Sequence, residues 1–130
     1  MKVIIAGSRN IVDYEIIKKS IEESKFDLTE VVSGGARGVD TLGEKYAKEN
    51  DLLVKIFKAE WDNLVDVPKY KIKKNKYGKL YNVTAGFERN EKMGDYADAL
   101  IAVWDGKSNG TKAMIEYMKK KNKKVYVKIE

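Results

Sequence analysis

The residues best suited to chemistry lie in Val103–Ile115, VWDGKSNGTKAMI, and two readings of that stretch conflict. Gly106-Lys107-Ser108 has the ending of an ATP-gripping P-loop, whereas Gly110-Thr111 has the form of a helix start that holds a phosphate on backbone N–H groups. The pattern GxxxxGKS needs its first glycine where this chain has Ile101, inside an apolar run, so no loop can wrap a phosphate there. The helix-start reading survives, with Thr111 opening the helix and Lys107–Asn109 shaping its rim. Two other glycine-rich stretches follow apolar runs: Gly7-Ser8-Arg9, and Ser33-Gly34-Gly35-Ala36-Arg37-Gly38-Val39-Asp40. SGGARG is a GxGxxG with serine in place of its first glycine, so a standard dinucleotide fingerprint is not expected. Taken singly, any of these glycines also serves simply to relieve a turn.

Arginine usage sharpens the pattern. Only three of the 26 basic residues are arginine: Arg9, Arg37 and Arg89. Two stand in the glycine turns, and the third shares a helical stripe with Gly86 and Met93. A planar guanidinium fork matched to phosphate or carboxylate is one reason to keep arginine in a lysine-rich chain, and structural ion pairing is the other. The chain contains no histidine and no cysteine. That excludes Ser-His-Asp chemistry, histidine acid–base catalysis, His-ligated zinc or iron, thiolate metal sites and disulfides.

The elements that must position these groups follow from hydrophobic patterning. VIIAG (3–7), VVSGG (31–35) and ALIAVW (99–104) are unbroken apolar runs, as expected of strands buried on both faces. LVKIFK (53–58) and VYVKI (125–129) carry an internal lysine, which suits sheet edges. Helical spacing relates Tyr14, Ile17 and Ile21, and again Val39, Leu42, Gly43, Tyr46 and Ala47. Further helices are expected from about Thr84 to Tyr96 and from Thr111 to about Lys121. The alternation predicts an α/β, Rossmann-like, doubly wound parallel sheet with helices on both faces. Strand order 3-2-1-4-5 places the two lysine-bearing strands at the edges. Ligands of such sheets bind beyond the strands' carboxyl ends where the order reverses, and all three glycine turns lie at those ends.

A chain of 130 residues with 43% hydrophobic and 35% charged residues suits one globular domain, 1–130. Residues 58–83, with the only proline, Pro68, read as a basic loop or excursion. The net charge of +6 concentrates there and in the tail after Tyr117. Such segments either contact nucleic acid or form a solvated lysine surface. Met1-Lys2 runs straight into VIIAG without a signal-peptide layout, and the apolar runs are too short to span a bilayer; a cytoplasmic location and no membrane partner are expected.

Together IIAGSR, VVSGGARGVD, the tryptophan of AEWD, AGFERNEKM and ADALIAVWDGKSNGT resemble the small YspA/YpsA-related proteins of the SLOG superfamily, in order and spacing over nearly the whole chain. That superfamily includes LOG phosphoribohydrolases, DprA DNA-processing proteins and sensor domains for nucleotide-derived signals such as cyclic ADP-ribose. The resemblance implies a nucleotide or nucleotide-derived ligand and a homo-oligomer. LOG enzymes carry an arginine-lysine pair followed by PGGxGTxxE. Here Arg89 matches the arginine, Asn90 replaces the lysine, Asp105–Asn109 replaces PGGx, and Met114 stands at the catalytic glutamate. Glu116 lies about 200° further round the helix and cannot substitute directly. Asp40, Glu88 and Asp105 are the carboxylates left for chemistry at a ribosyl bond.

The expected site is therefore Gly7, Ser8, Arg9, Ser33, Gly34, Gly35, Arg37, Gly38, Asp40, Arg89, Asn90, Asp105, Gly106, Gly110 and Thr111, with no metal and no cofactor. It should bind or sense an AMP- or ADP-ribose-type ligand. The alternatives are LOG-like cleavage of an N-glycosidic bond, which Met114 opposes, and DprA-like binding of single-stranded nucleic acid by the lysine segments. Asp105 either accepts from a ribose hydroxyl or serves as a turn residue. Trp61 either covers a base or packs in the core.

Overall fold

A computed structural model describes all 130 residues. Seven strands and four α-helices follow one another as β1 (Lys2–Gly7), α1 (Tyr14–Ser24), β2 (Glu30–Ser33), α2 (Val39–Glu49), β3 (Leu53–Ile56), β4 (Ile72–Lys74), β5 (Leu80–Asn82), α3 (Ala85–Tyr96), β6 (Ala99–Trp104), α4 (Asn109–Lys120) and β7 (Lys124–Ile129). The main sheet has order β3-β2-β1-β6-β7, every pair parallel. Counting only its five strands, this is the order 3-2-1-4-5 expected from the sequence.

The apolar runs explain why the sheet is covered on both sides. Side chains alternate along a strand, so Val3, Ile5, Val31, Ile101 and Val103 point to one face and pack with Ile17, Ile21, Val39 and Ala47 of α1 and α2. Ile4, Val32, Leu100 and Ala102 point to the other face, against Met93, Met114, Ile115 and Met118 of α3 and α4. Fully burying an Ile, Leu, Val or Met side chain stabilises by about 1.5–3 kcal/mol, and the central strands supply such residues to both layers. The edge strand β3 is exposed along its length. At the other edge, Lys128 of β7 pairs with Glu23 of α1 at 3.0 Å.

Two details depart from the sequence reading. The basic segment 58–83 is not merely a loop. It contains a 3-10 turn (Lys69–Lys71) and an antiparallel hairpin, β4 with β5, in the register Ile72↔Asn82, Lys73↔Tyr81, Lys74↔Leu80. Three-residue strands, one with two consecutive lysines (Lys73, Lys74), left no alternating pattern to read. The second detail is that α4 begins at Asn109 rather than Thr111. Asp105 accepts from the N–H groups of Lys107 and Ser108, both at 2.8 Å, and so turns the chain into the helix earlier.

Candidate functional site

The pairing of β1 with β6 is where the strand order reverses, and the turns after these two strands meet there. Gly7 ends β1 against the Val103 carbonyl, and a Cβ at Gly7 would lie only 1.9 Å from that oxygen. Ser8 is buried; its N–H donates to Val103 O and its Oγ accepts from the N–H of Asp105. These bonds tie the first glycine turn to the last. Gly38, at φ +77°, fits the second turn beneath the backbone of Ser8 and Arg9, where a Cβ would come within 2.5 Å of Arg9 O.

A crevice of about 470 Å³ opens above these turns. Ser8, Arg9, Asn10, Asp40, Arg89, Asn90, Asp105, Ser108 and Thr111 are its polar residues, with Ala6, Gly7, Ala36 and Gly110 around them and Met93 and Met114 also on its wall. The first turn of α4 contributes its backbone. The N–H groups of Asn109, Gly110 and Thr111 find no acceptor within the protein, because the helix starts at Asn109. Those N–H groups sit at the positive end of the helix dipole, which favours an anion.

Arg89 crosses from α3 towards the second glycine turn. Its Nη1 donates to Gly34 O at 2.6 Å and its Nε to Asn90 Oδ1 at 3.0 Å. Nη2 makes no bond within the protein, so one side of the fork stays available to a ligand. Asn90 in turn donates to Gly110 O at 3.4 Å and links α3 to the first turn of α4. Burial pulls the Arg89 pKa down, Asp40 pulls it up, and the nearby charge of Arg9 also depresses it.

Asp40 is the most perturbed carboxyl of the site. It is only 5% exposed. Burial pushes its pKa up to about 6, against the opposing pull of the Ala36 N–H, Arg89 and the Gly34 N–H, while Glu44 adds to the rise. Its Oδ2 accepts from Ala36 N at 3.4 Å. Asp105 moves the opposite way, held low by the N–H groups of Ser108 and Lys107. Asp105 is thus the turn residue that starts α4, with Oδ1 committed to that task.

Nine of the expected residues line the crevice: Gly7, Ser8, Arg9, Asp40, Arg89, Asn90, Asp105, Gly110 and Thr111. Six do not. Gly34 backs Arg89 through its carbonyl, and Ser33 donates to Glu44 at 2.6 Å. Gly35 lies by the edge residue Ile56, and Gly38 supports Arg9 from below. Arg37 and Gly106 are exposed and lie off the crevice wall. Asn10 and Ala36 line it without having been singled out, their only sequence signal being adjacency to Arg9 and Arg37; Ser108, read as part of the rim, lines it as well. Met114 is buried on the crevice wall, so no carboxylate stands at that position.

Comparison with known proteins bears on the family and the fold. Residues 1–63 match the model of the YspA, cpYpsA-related SLOG family. An uncharacterized SPbeta prophage-derived protein, YoqJ, of Bacillus subtilis strain 168 is 36% identical over 58 residues, which cover 45% of this chain and 33% of that protein. The X-ray structure of DNA processing protein A (DprA) from Streptococcus pneumoniae superposes with a TM-score of 0.70 at 20% identity, over 97% of this chain and 49% of that one. This chain therefore spans about half of the DprA chain. The SLOG resemblance read from the sequence is borne out, by the family match over residues 1–63 and by the fold over nearly all of the chain.

Proposed function

From this SLOG-type framework, we propose that the crevice binds a nucleotide or nucleotide-derived ligand of the AMP or ADP-ribose type. One observation carries the reading: Gly110 and Thr111, whose N–H groups at the start of α4 have no acceptor in the protein, and Arg89, whose Nη2 is free, line a single crevice. A phosphate accepts from the α4 N–H groups, and Gly110, with open space around its Cα, lets it come close to the backbone. Arg89 and Arg9 neutralise its charge with planar donor forks. Asp40, buried beside Arg89 on the same crevice, offers a carboxyl oxygen to a ribose hydroxyl in either protonation state.

Thermal unfolding in the presence of AMP, ADP-ribose and cyclic relatives tests the reading. At 100-fold above Kd the ligand should add about 2.7 kcal/mol of stability. No shift with any of these compounds at millimolar concentration refutes it. A second reading rests on the β4–β5 segment, which exposes Tyr70 (77%) and Tyr77 (81%) among lysines, the mixture that single-stranded nucleic acid favours. Binding of single-stranded DNA that falls steeply with salt, with no small-ligand shift, would transfer the function to that surface.

A further inference from the structure

Trp61 lies outside the core and does not itself line the crevice, but it stands next to Arg89, which does. It is 40% exposed and absent from both hydrophobic clusters. Its indole lies against the second residue of α3, Gly86, where a Cβ would sit 3.1 Å from Trp61 Cη2 and 3.9 Å from Arg89 Nη2. Trp61 and the unused nitrogen of Arg89 are thus each within 4 Å of the same point. On its other side the indole meets Tyr81 of β5, ring centroids 6.3 Å apart and planes tilted by 58°. The Trp61 carbonyl accepts from Asn82 N at 2.8 Å, and Asn82 is buried and hydrogen-bonded to Glu88 and Thr84 of the α3 start. The hairpin therefore holds the indole at a fixed place beside the crevice.

An exposed indole face carries a cost in water that burial would remove, and 40% of this residue stays uncovered by the fold. Its neighbour Arg89 presents the donor that the proposed phosphate or ribose would use. We infer that Trp61, backed by Tyr81, is the stacking surface for the nucleobase of the ligand, so that the 58–83 excursion supplies base recognition and the glycine turns supply phosphate recognition. The inference rests on the nucleotide reading of the crevice. The ligand class it names is a nucleotide with an aromatic base, in preference to a sugar phosphate alone. Stacking is tolerant of base identity, because every base has a π-face, so Trp61 selects for a base without choosing among bases.

The test compares ADP-ribose and AMP with ribose 5-phosphate, each titrated against the full chain by calorimetry. Trp61→Ala should weaken ADP-ribose and AMP about fivefold or more and leave ribose 5-phosphate within about twofold, since one base stack is worth ~5- to 150-fold. Trp61→Phe should restore most of the loss. In a Trp104→Phe background the remaining indole should change its fluorescence on adding AMP and not on adding ribose 5-phosphate. If all three ligands bind and Trp61→Ala weakens them equally or not at all, the stacking inference fails while the nucleotide reading stands. If none binds the unaltered chain, the nucleotide reading itself fails. Unchanged melting temperature in Trp61→Ala separates lost recognition from lost folding; should that variant unfold, Trp61→Phe and the fluorescence comparison still decide.

Discussion

Asp40→Asn is the perturbation whose magnitude the structure sets most directly. The carboxyl is 5% exposed, and burial is the largest cause of its rise to about 6. Well below pH 3.8 the group is protonated in both folded and unfolded chains, and it contributes no pH dependence. As pH rises from about 4 to 6 the unfolded chain releases this proton while the folded chain keeps it, so stability falls by about 1.4 kcal/mol per pH unit. Above pH 6 both states are ionised and the loss is complete. From the ordinary 3.8 to about 6 the accumulated penalty is about 3 kcal/mol. Asparagine keeps the shape and stays neutral. Asp40→Asn should therefore be more stable than the unaltered chain at pH 7.5, by up to about 3 kcal/mol, with the difference shrinking towards zero near pH 4. Urea denaturation at half-unit steps from pH 4 to 8 measures it. A variant no more stable at pH 7.5, or a difference that stays flat with pH, refutes the argument that Asp40 is buried at a cost. Ligand binding should carry the same signature. ADP-ribose, whose diphosphate stays ionised over this range, should bind more tightly as pH falls through 6, because the negative charge beside Arg89 disappears; in Asp40→Asn that dependence should vanish.

Arg89→Lys should weaken ADP-ribose binding about tenfold or more although the charge is kept, because a point charge replaces a planar fork. Neutralising the exposed Lys69, Lys73, Lys74 and Lys76 together should change the same Kd by less than about twofold at ordinary salt, where screening acts over about 8–10 Å; the reverse outcome with single-stranded DNA would favour the nucleic-acid reading. Gly7→Ala should fail to fold or lose more than about 4 kcal/mol by thermal unfolding, since its Cβ would meet Val103 O at 1.9 Å. Incubation with nucleoside monophosphates should release no free base above background, as chromatography of the products can show, because Met114 offers no carboxylate at that point of the crevice wall. Turnover that is abolished in Asp40→Asn would instead make Asp40 the group that supports ribosyl chemistry.

The fold was legible because its signals are local and repeated. Unbroken apolar runs at Val3–Gly7 and Ala99–Trp104 mark central strands, and Lys55 and Lys128 mark edges; strand order followed from those few residues. The hairpin β4–β5 was not legible, because strands of three residues carry almost no periodicity and two of the three positions of β4 are exposed lysines. The start of α4 was displaced by two residues for a similar reason. Nothing in the sequence tells whether Asp105 accepts from a ligand or from its own turn, and the folded chain uses it for the turn.

The site shows the same division more sharply. Sequence alone picks out glycine turns and scarce arginines, but the meeting of Arg89 with Gly34 joins residues 55 positions apart. A Cβ on Gly34 would stand 2.9 Å from Asp40 Oδ2 and 3.0 Å from Arg89 Nη1. Gly34 thus lies off the crevice wall and still determines it, since its missing side chain is the space in which a buried carboxyl and a guanidinium come together. Arg37, in the same stretch, has the residue type a phosphate site favours and faces solvent instead. Residue type identifies what can bind an anion; only the packing of one turn against another decides which of these groups is turned inward, and at Asp40 and Arg89 that packing leaves opposite charges in one crevice whose balance a ligand or a proton can change.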